Sequence, residues 1–330
     1  MEDSTDGEEE EEDVDEYEAQ NGELEGGSED KEEVEVEAEG SGGVIVEEED
    51  IDEDPEPEVS SETKVEEFLA RQAELALRQE DIAKAKAEGD WHPDELFVYE
   101  RLLMRSFEEL IPKEWKIDFP TLPELLFTDD LDKAFIKDHR PSSYRGARAL
   151  KGLLSLGIRV KDKLDYGLPA ERLIEKEILD YVKWSEQDGG YHRHRFIPVL
   201  SVVRARARQD ISLISKTITD QMSFLAQRHR ESLGYFADEE GNIQIDANRR
   251  TPPLLYGIIV AQKRAIFMTL DSTNPHAVIR HLRHFDFSDK PEGVWNGFAI
   301  AILVVAARNY MISIKDELEI DDTPLTDEDA

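Results

Sequence analysis

The acidic residues of this 330-residue chain are segregated, and that segregation decides how much of it can fold. Residues 1–63 hold 31 Asp or Glu against one base, Lys31, and residues 316–330 hold 8 acids and no base. The net charge of −38 therefore belongs to the two ends, because the stretch from Lys64 to Lys315 carries 38 acids and 38 bases. Residues 1–62 are rich in Glu, Asp, Gly and Ser and nearly free of aromatics. Such a segment buries too little apolar surface to offset the entropy of ordering it, so a disordered acidic arm is expected there, and a disordered acidic tail over 316–330. The low isoelectric point describes these ends and does not argue against an anionic partner for the neutral body.

The remaining stretch of about 250 residues is long enough for one large domain with a buried core. Cysteine is absent, which excludes disulfides, thiolate zinc sites and a cysteine nucleophile, and leaves His and carboxylates as the side chains for any metal site. The chain starts with acids where a signal peptide carries bases and an apolar core, so secretion and mitochondrial import are not expected. Its longest apolar run, Phe298–Ala307, is shorter than the roughly 20 residues of a membrane helix. A soluble intracellular protein with no membrane partner is expected.

Residues 63–90 read as a lead-in helix. Thr63 and Glu66 have capping-box spacing, and Val65, Phe68, Leu69, Ala76 and Ile82 recur near helical spacing up to Gly89. Residues 91–315 read as a globular α/β or α+β domain: a mixed sheet of about four strands with helices on both faces. The helices expected in it end near Pro112, run from Tyr144 to Leu164, start after Pro169 and stop before Gly189, span Ser212–Arg230, and close the domain from Pro291. The strands are Phe196 onward, a hairpin of Leu254–Val260 with Ala265–Leu270, and Ala277–Phe287. Trp115–Phe127, with Pro120 and Pro123, reads as an irregular wrap over the core.

Two features point to partners. In the arm, Val44, Ile45 and Val46 are followed by Glu47, Glu48, Glu49 and Asp50. This resembles a SUMO-interacting motif, in which a β-branched segment adds a strand to the partner's sheet and trailing acids meet its basic rim. The arm is expected to recruit a protein partner, SUMO or basic chromatin proteins. In the body, alternation along a strand would point Arg204, Arg206 and Arg208 to one side. Arg193 and Arg195 lie just upstream, and Arg145, Arg148 and Lys151 on a basic helix face complete a surface suited to nucleic-acid phosphates. The competing reading pairs these bases with the body's own acids or with the acidic arm. His281 and His284, with Asp286, suggest a metal site, but strand alternation would put the two rings on opposite faces, so no metal is expected there.

From Glu171 to Lys315 the element order resembles the core of the PD-(D/E)XK nuclease-like superfamily, where a helix bearing Glu precedes strands carrying an Asp and then an acid-x-Lys, followed by a helix and further strands. The resemblance implies Glu177 as the helix acid, Asp188 as the first strand acid, Ile197–Arg206 as the acid-x-Lys strand, Thr219–Arg230 with Gln221 as the next helix, and Leu254–Leu270 as the later hairpin. Where the family holds a magnesium-binding carboxylate and a lysine, this strand reads Val202, Val203, Arg204, Ala205 and Arg206, and arginine repels the cation. The stretches Phe196–Val203 and Phe285–Lys315 also resemble those of uncharacterised fungal proteins. The resulting expectation is a non-catalytic nuclear adaptor with a degenerate nuclease-like domain and no cofactor. The alternatives are an active magnesium-dependent nuclease using Glu177 and Asp188, with the missing acid supplied by Asp210 or Glu186, and a structural subunit of a complex.

Overall fold

The chain divides into two units, Met1–Glu58 and Val59–Ala330. The computed structural model describes residues 61–140, 145–206, 209–235, 250–289 and 292–321, all in the second unit. The acidic arm with Val44, Ile45 and Val46, Arg208, and the tail beyond Asp321 lie outside the described residues.

The lead-in helix α1 is Ser61–Glu88, so Thr63 sits inside it. Gly89, at φ +71°, ends it, a conformation that suits glycine because it has no Cβ. Helix α2, Pro93–Met104, starts immediately after with proline in its first turn and a capping box in which His92 and Glu95 exchange hydrogen bonds with each other's backbone. Arg71 and Arg78 of α1 sit over the Phe107 ring and donate to carbonyls at the end of α2.

The wrap contains a feature that the prolines concealed: β1, Ile111–Pro112, pairs in parallel with β2, Phe127–Thr128. The basic stretch expected as one helix is two, α3 Arg145–Leu154 and α4 Leu156–Asp165. The break falls at Ser155, whose hydroxyl donates to the Gly152 carbonyl at 3.1 Å; serine back-bonding of this kind bends helices. The break also sets Gly157 against Gly293, where a Cβ on Gly157 would lie 2.9 Å from the Gly293 Cα.

Helix α5 is Glu171–Gly189 and α6 is Ile211–Ser232. The mixed sheet has the order β3-β4-β5-β6, with β3 Leu200–Arg204, β4 Leu254–Ala261, β5 Arg264–Asp271 and β6 Arg280–Asp286. Strands β3 and β4 are parallel and joined through α6, while β4, β5 and β6 form an antiparallel meander. Seven of the eight β4 residues are buried, as in a strand covered on both faces. Helix α6 covers one face, where Ser201 donates to Gln221 at 2.8 Å and the missing side chain of Gly257 makes room for Met222. On the other face Thr269 bonds Glu95 of α2, and the Phe267 and Phe285 rings pack 4.7 Å apart.

Helix α7, Gly293–Ser313, is the centre of the body and packs on α3, α4, α5 and α2. By length and composition it could cross a membrane, yet 72% of its apolar window is buried by the rest of the domain. It extends past the apolar run through Arg308, a charge the domain neutralises internally. Closest packing is at Gly297, where a Cβ would fall 2.6 Å from the Leu153 carbonyl oxygen of α3. Any larger residue there must push two backbones apart.

Candidate anion-binding site

The residues that the nuclease resemblance singled out do not meet. Asp188 is in the last turn of α5, not on a strand, and only one strand separates α5 from α6. Glu177 and Asp188 lie on the same helix eleven residues apart, about 16 Å at 1.5 Å per residue. Each is taken up by an arginine. Glu177 accepts from Arg159 Nη1 at 2.7 Å. Asp188 accepts from Arg308 Nη1 at 2.7 Å, in a pair whose side chains are 1% and 3% exposed, and from the His139 N–H at 3.1 and 2.9 Å. Arg308 also donates to the Lys137 carbonyl at 2.9 Å. The pair ties the wrap, α5 and α7 together. Of the substitute acids, Asp210 caps α6, accepting from the Ser212 hydroxyl and N–H, bonds that hold its carboxyl below the usual range. Glu186 forms no ion pair with a described residue, and burial raises its pKa. Among the described residues no group of three or more metal-ligating side chains occurs.

Strand β3 stops at Arg204, but the alternation runs on, with Ala205 bonded to Val260 and buried between exposed Arg204 and Arg206, and Arg208 lies outside the described residues. Arg204 Nε donates to Glu175 Oε2 at 2.6 Å. Arg206 lies beyond the strand, where its N–H bonds Gln209. Arg195 pairs with Asp321 at 3.3 Å. Glu175, which marks the position of Arg204, is fifteen residues before the Gly190 end of α5, about 22 Å away. The expected surface is therefore split between the two ends of α5.

At the Gly190 end, cations gather. Gly190 is the left-handed C-cap of α5, at φ +73°. The position a Cβ would take there is in contact with Arg140 Nη2 and 2.7 Å from Lys315 Nζ, so both charged groups converge on one point above the glycine. Lys315 directly follows Ile314, the C-cap of α7. Two helix C-termini, each carrying partial negative charge, thus hold the cations in place. Exposed His192 joins them. Its pKa is held below the ordinary value first by burial and then by the positive charges of Arg193, Arg140, His194 and Lys315. None of Arg140, Arg193 and Lys315 forms an ion pair with a described carboxylate. Arg145 belongs to the same end: Asp138 accepts from the Gly146 N–H in the first turn of α3 at 2.9 Å, while neighbouring His139 bonds α5. Arg148 and Lys151 continue from it along the exposed face of α3.

The segment after α7 passes over this loop. The Asp321 N–H donates to the Arg193 carbonyl at 2.7 Å, the Arg195 N–H to the Glu319 carbonyl at 2.9 Å, and His194 bridges Ile320 in antiparallel fashion. Arg250 pairs with Glu317 at 2.6 Å. A larger cleft, about 490 Å³, opens between α1 and β6, but its bases face acids across it. There Arg105, its pKa pushed down to about 10 by burial, pairs with Glu292 at 3.1 Å.

Sequence reasoning reached Arg193 and the α3 bases but missed Arg140 and Lys315. The readable signal was the Gly189-Gly190 pair followed by His192 and Arg193, since a glycine-terminated helix ends in exposed carbonyls that attract cations. No protein-family model, curated protein or solved structure matches this chain, and the convergence above Gly190 stands on its own geometry.

Proposed function

We propose that this chain is a non-catalytic binding protein whose body holds nucleic acid through phosphate contacts at Arg140, His192, Arg193 and Lys315. Arg145, Arg148 and Lys151 extend that surface. One observation carries this reading: a guanidinium and an ammonium converge on a single point above Gly190 with no described carboxylate to neutralise them. Two cations at the reach of one anion suit a phosphate, whose several oxygens accept from both. The body around them is neutral overall, so the patch is a local excess and not part of a general basic field.

The test is salt-dependent binding of a labelled DNA or RNA oligonucleotide by the full chain. Replacing Arg140, Arg193 and Lys315 together by Ala is expected to weaken binding at least about tenfold and to reduce the slope of log K against log salt by about 2 to 3, one phosphate contact per cation. Replacing Arg204 and Arg206 instead leaves binding unchanged. A parent chain that binds neither DNA nor RNA, or a triple variant that binds as the parent does, ends this reading.

The acidic arm gives the adaptor its second contact, to SUMO or a basic chromatin protein, and places it in the nucleus. Its support is the Val44-Ile45-Val46 triplet with the trailing acids. Val44→Ala with Ile45→Ala is expected to remove SUMO binding, measured by chemical-shift changes on labelled SUMO. Identical shifts with parent and variant, or none with either, remove the motif, and exclusion of the tagged chain from nuclei removes the location.

A further inference from the structure

Strand alternation puts residues three apart on opposite faces, and β6 breaks that rule at its two histidines. The pairing of β5 with β6 runs Ile266 to His284 and Phe267 to Arg283, then shifts, so that Met268 faces His281. Leu282 is the extra residue of a β-bulge, two residues on one strand opposing one on the other. Ile266 and Met268 point to the same side of β5, and so do their partners. The bulge therefore brings His281 and His284 onto one face, with ring centroids 6.3 Å apart and planes inclined by 33°.

Both histidines are exposed, and β6 is the edge strand of the sheet. Two imidazoles bound to one metal at nitrogen–metal distances of about 2.0–2.1 Å place their centroids roughly 5 to 6.5 Å apart across tetrahedral to linear angles. The observed separation is inside that range. Asp286 follows on the same face, two residues after His284, but it is committed elsewhere. It accepts from Arg264 at 3.0 Å and from the Ser288 N–H and hydroxyl at 3.0 and 2.7 Å.

We propose that His281 and His284 form a two-imidazole chelate for a borderline transition-metal dication, zinc or copper, with solvent completing the coordination. Nitrogen donors alone select such ions over magnesium and calcium, which take oxygen ligands. The site is separate from the cation cluster at Gly190 and independent of the nucleic-acid reading.

The test is titration of the full chain with Cu(II), followed by electron paramagnetic resonance, in which coupling to two equivalent ring nitrogens marks the chelate. Zn(II) competition then measures its affinity. A one-to-one site is expected that loses at least about tenfold in affinity in His281→Ala and equally in His284→Ala, since either change leaves a single imidazole. His192→Ala with His194→Ala is expected to leave it intact. Binding that survives both strand substitutions, binding lost on the His192 and His194 changes instead, or no two-nitrogen signal at one equivalent overturns the proposal. Both rings are exposed, so the folded state of each variant, checked by circular dichroism, is expected to match the parent.

Discussion

Arg308→Ala is expected to destabilise the body by about 3–5 kcal/mol, because it leaves the Asp188 carboxylate buried without its counter-ion. For a domain of this size that corresponds to a fall of roughly 10 °C in unfolding temperature. Asp188→Ala is expected to cost about as much, since it strands the guanidinium and also removes the acceptor of the His139 N–H. Combining Asp188→Asn with Arg308→Met is expected to recover part of the loss, because an uncharged acceptor remains for His139 and no ion is left unpaired. Chemical denaturation of the three variants measures this directly. Single variants within about 1 kcal/mol of the parent would show that the pair is not buried as described. The same result bears on the nuclease alternative: loss of function in Asp188→Ala accompanied by unfolding carries no information about catalysis.

The parts of this fold that were legible in the sequence are those set by local pattern. The β4–β5 hairpin follows from two apolar runs around Gln262 and Lys263, and Gln262 takes the positive φ of 54° that the tight turn needs. Helix α5 starts after Pro169 and stops at glycine, as local rules require, and α7 is apolar nearly all round because it is buried on every side. What failed depends on partners far along the chain. Asp188 looked like a free acid because its partner is 120 residues away. Arg140 and Lys315 are brought together only where α5 and α7 end side by side. The histidine faces were misjudged because a bulge is a property of two strands, and only pairing with β5 shows that Leu282 is the residue left over. The arginine ladder lost a member in the same way, because Arg204 is taken up by Glu175, 29 residues before it.

Neutralising the segment that crosses the cation cluster is expected to strengthen polyanion binding. Asp316, Glu317, Glu319 and Asp321 are carried on or beside a backbone bonded directly to Arg193 and Arg195, so they add negative charge beside the proposed phosphate contacts although none pairs with Arg140, Arg193 or Lys315. Within the roughly 8 Å screening length of physiological salt, a like charge opposes a bound phosphate by about 0.3–0.5 kcal/mol. Removing four of them by Asp316→Asn, Glu317→Gln, Glu319→Gln and Asp321→Asn therefore amounts to about 1.4 kcal/mol, a tenfold gain in affinity. Stability should change little, because the pairs broken, Arg195 with Asp321 and the half-buried Arg250 with exposed Glu317, lie at the surface, where such pairs contribute at most about 1 kcal/mol each. The measurement is the oligonucleotide titration at constant salt, with parent and fourfold variant side by side. Equal affinities would mean that the anion is held away from Gly190, and weaker binding by the variant would place these carboxylates on the side of the ligand. A tenfold gain that disappears when Arg140, Arg193 and Lys315 are also replaced would locate both effects at the convergence above Gly190, where the ends of α5 and α7 gather cations and the chain's own acids compete for them.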